Sequence, residues 1–425
     1  MARSRVLIVA VLASLTGVVA QAQTQKQFKD RTEYDLYEAI RTGTDPVKRL
    51  ADLNQWKAKY PQTDYGTERL QAYLTTYQQL ARAEEMWNTG KELLATDSKN
   101  LTALYWMTLL VKSMGKTDPD RLDTGEKAAR GFLGVIETPP AGVSADDWKK
   151  QKDNFTVIAH TTLGWIAMSR KNDAEAEKEL IKVLQMSPGA VEANVMLGTI
   201  IRNSKKLDRY PEVLFHFARA GFYDGSGSLD PKARQTYQVY FEKAYAQFHG
   251  DKSEIDEVIK VAKAVPLPPE GFKIKDFVTI AKENEEKFER ENPMLALWMS
   301  IKRGLSEENG PAFWEALKGT AFPAGNKGVQ KIKGRVISIK PATRPKEIVL
   351  GITSADTAEV TLRLEQPLTT KADPGTEIEF EGVAAEFTKD PFMLTFDVEK
   401  EQIVGWPAPA KPTPPARRPA GKKKR

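Results

Sequence analysis

The chain of 425 residues contains no cysteine. That excludes disulfides, thiolate zinc sites, iron–sulfur clusters, a cysteine nucleophile and a lipidated N-terminal cysteine. Histidine is nearly as scarce. His160, His216 and His249 stand far apart with no HxxxH or HExxH spacing, so no histidine-built metal site is expected. GxSxG, GxGxxG and P-loop motifs are also missing. Gly225-Ser226-Gly227 punctuates a loop and follows no strand, so it is no nucleophile elbow. Asp146 and Asp147 fall in the first turn of a helix, where acid favours the dipole. A catalytic centre needs a nucleophile with its base, paired carboxylates, a metal or a phosphate loop. The expectation is a non-enzymatic protein with no cofactor and no metal.

Charge is unevenly spread. The whole chain sums to +6. Residues 1–22 contribute +2, residues 407–425 contribute +7, and residues 328–406, with 10 bases and 13 acids, contribute −3. The remainder, 23–327, is neutral. The high isoelectric point therefore belongs to a tail, and a nucleic-acid-binding surface cannot be read from it.

The N-terminus has the layout of a secretory signal. Arg3 and Arg5 precede an uncharged apolar run, Val6–Ala20, and then the small-residue step Ala20-Gln21-Ala22. The run has 15 residues, whereas a membrane span needs about 20. Residues 1–22 are expected to be cleaved after Ala22 or Ala20, leaving no membrane span and an exported product, periplasmic or secreted.

From Phe28 to about Thr320 the apolar pattern is helical. Leu163-Gly164 recurs as Leu197-Gly198, a spacing of 34. Counting Val157 as position 1, Leu163 and Gly164 fall at 7 and 8, Ala167 at 11, Ala176 at 20, Leu180 at 24, Val183 at 27 and Pro188 at 32. Val157–Ala190 thus resembles the tetratricopeptide repeat (TPR), including the Asn172-Asp173 turn. Val191–Asp224 is a second copy in register, except that Tyr210 stands where alanine is expected and Pro211 follows, which implies a modified or distorted second helix. Looser copies begin at Thr67 and Leu101, and a helix starts near Ser144, with Ser144 or Asp146 as its cap. Tyr60-Pro61-Gln62-Thr63-Asp64-Tyr65 resembles a junction of exported bacterial repeat proteins that serve envelope assembly.

Residues 225–324 read as a helical extension that caps the repeats. Its helices are expected over Pro231–Phe248, Lys252–Ala264, Ile274–Glu291, Pro293–Leu305 and Pro311–Leu317, with Asp230 and Asn292 as N-caps and prolines at helix starts. Near Gly325 the period changes to that of strands. Val360, Leu362 and Leu364 alternate with Glu359, Thr361, Arg363 and Glu365 on an outward face. Alternation breaks at Gly334 and Gly382, as bent strands require. Phe392–Val398 is a further strand, with Ile403 and Val404 extending it or pairing elsewhere. Residues 325–406 therefore resemble a small OB-like β barrel, with an SH3-like barrel or small sandwich as the alternative. Lys331, Lys333 and Arg335 share one face, but Glu377, Glu379 and Glu381 line another, and nucleic acid is not the expected partner.

The expected fold class is mostly α: a TPR-like α-solenoid of antiparallel helix pairs over 23–224, the helical extension, and a small all-β domain. The tail, 407–425, has six prolines and should stay extended and disordered. Its bases Lys411, Arg417, Arg418, Lys422, Lys423, Lys424 and Arg425 can act as an electrostatic tether to an anionic envelope surface, or only as a solubilising end.

What the TPR resemblance implies about function is partner binding. Positions 2, 5, 9 and 12 of each first helix would face a groove that holds a protein or peptide. The candidate groove residues are Thr102, Tyr105 and Lys112 in one copy, Thr161, Trp165 and Met168 in the next, and Thr199 and Arg202 in the third, with Leu109, Ile158, Glu192 and Val195 on the same positions. Trp165 packing against an adjacent loop or cap helix is the other reading of that residue. The alternative function is an envelope polymer-binding module built from the β domain and tail. The export reading has a direct check: Edman sequencing of the mature protein is expected to start at Gln23 or Gln21. A retained Met1 on a cytoplasmic protein would remove it.

Overall fold

The computed structural model describes residues 26–409 and divides into two compact units, one ending at Asp276 and one beginning at Phe277. The expected signal, 1–22, lies outside the described residues, as do residues 410–425 of the tail.

The first unit is built of helix pairs. They are α1 (Arg31–Thr42) with α2 (Pro46–Lys59), α3 (Gly66–Gln79) with α4 (Ala83–Thr96), and α5 (Leu101–Ser113) with α6 (Pro119–Val135). Then come α7 (Ala145–Ser169) with α8 (Asp173–Met186), α9 (Val191–Asn203) with α10 (Tyr210–Phe222), and α11 (Pro231–His249) with α12 (Ile255–Ala264). Local chemistry sets the starts. Asp30, Asp45, Asn100, Asp118, Ser144, Asn172 and Asp230 each accept a hydrogen bond from a first-turn amide. Pro46, Pro119 and Pro231 follow their caps in the first turn, where a missing N–H costs nothing.

Helices within a pair approach closely at small residues. A Cβ on Gly164 of α7 would lie 2.8 Å from the Cγ and Cδ2 of Leu180 on α8, and one on Gly198 would lie 3.2 Å from His216 and Phe217 on α10. Ala176 is fully buried. The departure at Tyr210-Pro211 is a modified second helix, with a later start in place of a distortion. A 3-10 turn spans Leu207–Arg209, and α10 then begins at Tyr210 with Pro211 in its first turn. Buried Arg219 of α10 joins three segments by donating to the carbonyls of Pro188, Ala262 and Lys263.

The expected cap, 225–324, is divided between the units. α11 and α12 continue the pairs, their Phe241, Tyr245 and Val258 sharing a core with Val213 and Phe217 of α10. The second unit takes α13 (Phe277–Glu291), α14 (Pro293–Ser306) and α15 (Gly310–Leu317). The reason is packing: Leu297, Trp298, Ile301 and Leu305 of α14 share one core with the strands. Asn292 precedes α14 without capping it; its side-chain amide instead donates to the Phe288 carbonyl at 3.5 Å.

The eight strands are β1 (Ala321–Phe322), β2 (Ile332–Lys340), β3 (Glu347–Gly351), β4 (Val360–Leu364), β5 (Glu377–Phe380), β6 (Gly382–Thr388), β7 (Met393–Val398) and β8 (Ile403–Val404). They form one curled sheet, a half-barrel, in the order β1-β6-β7-β4-β3-β2-β5-β8. β2, β3 and β4 make an antiparallel meander, and β4 and β7 run parallel. β5 pairs with β2 while β6 pairs with β7, and only Glu381 separates β5 from β6. One bent stretch of chain therefore pairs with the meander through β5 and with β7, on the meander's other side, through β6. The bend sits at Gly382, where a Cβ would lie 2.5 Å from Val398 Cγ1. At Gly334 a Cβ would meet Ile352 Cδ1 at 2.8 Å, but the register shift of β2 falls later, between Val336 and Ser338. Ile403 and Val404 pair with β5.

Glu359 departs from its expected outward place and is only 1% exposed. Its carboxylate accepts from Lys302 Nζ at 2.5 Å, the Ile352 and Thr353 amides at 3.0 and 2.6 Å, and the Thr353 hydroxyl at 2.7 Å. Burial pushes its pKa up, but Lys302 and the Thr353 and Ile352 donors together hold it below the ordinary range.

Gly164→Leu tests the close approach in the first unit. Overpacking of this kind costs about 1–3 kcal/mol, so the helical unit should melt several degrees lower. A wild-type melting temperature would mean that α7 and α8 do not meet there.

Candidate partner-binding face

The first helices of the pairs, α5, α7 and α9, carry the expected groove positions. Positions 7, 8, 10 and 11 are buried in all three: Met107, Thr108, Leu110 and Val111; Leu163, Gly164, Ile166 and Ala167; Leu197, Gly198, Ile200 and Ile201. Of the twelve residues at positions 2, 5, 9 and 12, eleven are half-buried or exposed. The exception is Tyr105, which is 6% exposed and packs its ring on Phe132 and Phe155. It is a core residue and offers no face to a partner. The cause is the long N-terminal half of α7, which carries Phe155 over it.

The other residues are placed as follows. Thr102 is half-buried and lines a cleft of about 850 Å³ with Gln71 and Pro140. Lys112 reaches Glu192 of α9 at 2.6 Å, so side chains from α5 and α9 meet on one face. The Thr161 and Thr199 hydroxyls donate to the carbonyls of Val157 and Val195, which leaves their methyl groups as the contact surface. Trp165 is half-buried and packs against two core clusters, one centred on α5 and α6 and one on α8 and α9. Met168 packs against the second. Arg202 is exposed and turned toward α11. It lies 5.8 Å from the rings of both Phe217 and Tyr240 and donates to the Tyr240 hydroxyl at 3.4 Å. The structure therefore joins Lys112 with Glu192 and sends Arg202 away to aromatic rings of α10 and α11. Chemically the face is an apolar strip, Leu109, Ile158, Trp165, Met168 and Val195, with charge at its ends.

Each histidine is engaged by neighbours. His160 Nδ1 pairs with Glu179, a buried carboxylate that Lys182 also holds. Burial raises the Glu179 pKa, and the His160 and Lys182 contacts outweigh it, so the net shift is downward. His216 is buried against the Asn194 amide at 3.0 Å, and burial, aided by the charges of Arg209 and Arg219, drives its pKa down to about 3. His249 contacts the Lys275 carbonyl and Ser253. Among the described residues no three His, Asp or Glu gather as a metal site, and no helix is long and apolar enough to cross a membrane.

On the sheet, the basic row meets the acidic row. Lys331 pairs with Glu381 at 2.8 Å, Lys333 with Glu377 at 2.8 Å and Arg335 with Glu377 at 3.0 Å. The antiparallel register of β2 and β5 sets Arg335 opposite Glu377 and Lys333 opposite Glu379. A row so neutralised does not present free cations to a phosphate backbone. The tail bases Lys411, Arg417, Arg418, Lys422, Lys423, Lys424 and Arg425 lie outside the described residues.

No family model matches the sequence, and no curated protein matches it. Among solved structures the chain is similar to a thermophilic TPR protein of Thermus thermophilus, at 18% identity and a TM-score of 0.26, covering 50% of this chain and 95% of that one. It is also similar to a tetratricopeptide repeat protein from Parabacteroides merdae, at 14% identity and a TM-score of 0.29, covering 55% of this chain and 99% of that one. Likeness at this level transfers no function; the TPR-like arrangement stands on the helix pairs themselves.

The two anchor candidates should separate by stability. Trp165→Ala removes contacts to two cores and should cost about 2–3 kcal/mol, below the range for a fully buried tryptophan. Arg202→Ala loses exposed cation–π contacts of at most about 1 kcal/mol. Urea unfolding followed by far-UV circular dichroism reads the difference, and equal midpoints would mean that Trp165 is not packed as described.

Proposed function

We propose that the chain is an exported, non-enzymatic scaffold that holds a protein or peptide partner on the face formed by α5, α7 and α9. One observation carries this reading. The packing positions of these helices are uniformly buried, while the positions between them leave a strip of half-buried apolar side chains open. Half-buried tryptophan and methionine beside charged ends suit the apolar face of an amphipathic helix or the anchors of an extended peptide. Export rests on the Met1–Ala22 layout, and a bacterial envelope setting on the Tyr60–Tyr65 junction.

For the second unit the reading is an OB-like barrel. The parallel β4–β7 pair and the bent β5–β6 stretch that pairs with β2 and with β7 support it. A second function, binding of an anionic envelope polymer by this unit and the tail, is favoured by Lys340, Arg344, Lys346 and Lys371, which have no ion-pair partner among the described residues.

The scaffold reading is tested by site-specific photocrosslinking in the full chain. A crosslinker at Thr161 or Thr199 should trap the same protein partner, whereas one at Lys178 on α8 should not. Met168→Ala, on the apolar strip, should weaken that partner's binding by about 2 kcal/mol or more, whereas Arg202→Ala, turned toward α11, should change it little. Crosslinks from Lys178 alone would move the binding site off this face.

A further inference from the structure

Bases on the second unit fall into two groups. Residues 328–406 contain 10 Lys and Arg. Lys331, Lys333, Arg335 and Arg363, all on or beside the sheet faces, are held by carboxylates. Lys340, Arg344, Lys346 and Lys371 have no ion-pair partner among the described residues, and all four belong to the β2–β3 and β4–β5 connections or their edges. Lys389 and Lys400, also unpaired, lie on other turns.

These two connections meet. The Leu368 amide donates to the Pro345 carbonyl at 3.0 Å, and the Leu364 amide to the Lys346 carbonyl at 2.8 Å. A third segment closes against them: the Thr370 hydroxyl donates to the Pro407 carbonyl at 2.6 Å, and the Trp406 indole donates to Thr370 Oγ1 at 3.1 Å. Between the three segments lies a cleft of about 370 Å³ lined by Thr343, Arg344, Thr369, Thr370, Lys371, Pro407 and Ala408. That is the size of a small-ligand site, about 300–1,000 Å³. Neither acid of the β4–β5 connection, Glu365 or Asp373, lines it. The Thr343 and Thr369 hydroxyls have no hydrogen-bond partner among the described residues. Beyond the cleft the chain continues into 410–425, with seven bases and no acid.

We propose that this cleft is the binding site for an acidic polysaccharide, with Arg344 and Lys371 holding carboxylate or phosphate groups of the chain and Thr343 and Thr369 bonding to its oxygens. The proposal rests on the second function above and gives it a location and a ligand class. A fork of guanidinium donors and an ammonium suit such anions, and hydroxyls match sugar oxygens. Single-stranded nucleic acid fits less well. It needs aromatic faces on which bases stack, and the lining holds none; Trp406 is fixed by its indole hydrogen bonds to Thr370. The tail bases add attraction that salt screens beyond a Debye length of about 8 Å, whereas the cleft supplies the geometry.

The test uses the full-length mature protein and polygalacturonate, with single-stranded oligothymidine as the competing probe. Arg344→Glu with Lys371→Glu should weaken polygalacturonate binding about tenfold or more. Lys389→Glu with Lys400→Glu, the same charge change on other turns, should leave it within about twofold, which excludes net charge as the cause. Circular dichroism of all variants checks folding. If polygalacturonate binds but both pairs weaken it equally, the cleft is overturned and the polymer-binding function stands. If the wild type binds no polygalacturonate, both fall. If oligothymidine binds more tightly and the Arg344–Lys371 pair governs it, the ligand class is overturned.

Discussion

Everything in the helical unit depends on how closely the two helices of a pair approach. Gly164 leaves α7 and α8 no room for even one more carbon, because Leu180 fills it. Gly125 of α6 against Val111 of α5 is similarly tight, and so, between neighbouring pairs, is Gly90 of α4 against Met107 of α5, each with 2.5 Å to the nearest side-chain atom. Interiors packed at this density transmit any added volume as strain. Close approach on one side of a helix also determines what its other side can do. Once positions 7, 8, 10 and 11 are spent on the pair and its neighbour, the intervening side chains have no partner helix above them. The face proposed for partner binding is what remains after the packing.

The repeat was legible where small residues mark it and illegible where the backbone alone carries it. Ala81, Gly115, Lys171 and Lys205 all adopt left-handed φ, of 55°, 65°, 59° and 57°, at the turn within a pair. They occupy one repeat position in the copies from Thr67, Leu101, Val157 and Val191, so the two earlier copies are in register with the later ones. Only Gly115 advertises that conformation. Alanine and lysine have no compositional signature for it, and here the surrounding hairpin imposes it. The later start of α10 was hidden for a related reason: proline at a helix start and proline inside a helix look alike until the start is known.

In the second unit the strand pattern and the bend at Gly382 could be read from alternation. Ownership of α14 could not. A helix of period 3.6 shows that it has an apolar face, but not which core that face covers, and Trp298 and Leu305 suit a solenoid cap as well as a sheet. Glu359 was misplaced by the same alternation that placed its neighbours. It precedes β4, where the alternation no longer holds, and its carboxylate satisfies the amides of the turn after β3. A buried carboxylate is stable only with such a set of donors, and its donors lie in another strand's turn and on a helix.

The segment that obscures the repeat also shapes the candidate face. Between Gly115 and Lys171 the chain carries extra residues, and they become the loop before α7 and its first turns. Those turns bring Phe155 onto Phe132 and Tyr105 with Trp148 edge-on to Phe155, and the Trp148 indole donates to the Ile136 carbonyl at 2.8 Å. Tyr105 holds a groove position, yet this insertion closes over it. The open strip therefore begins past Tyr105, at Leu109 and Lys112, and runs through Trp165 and Met168 toward Val195. A partner on this face meets Lys112 already paired with Glu192, and must either displace that carboxylate or lie beside it. An acidic anchor would have to compete with an existing ion pair, whereas an apolar one needs only to cover Trp165. On the proposed face, apolar anchors are therefore favoured over acidic ones, and where the insertion ends sets that preference.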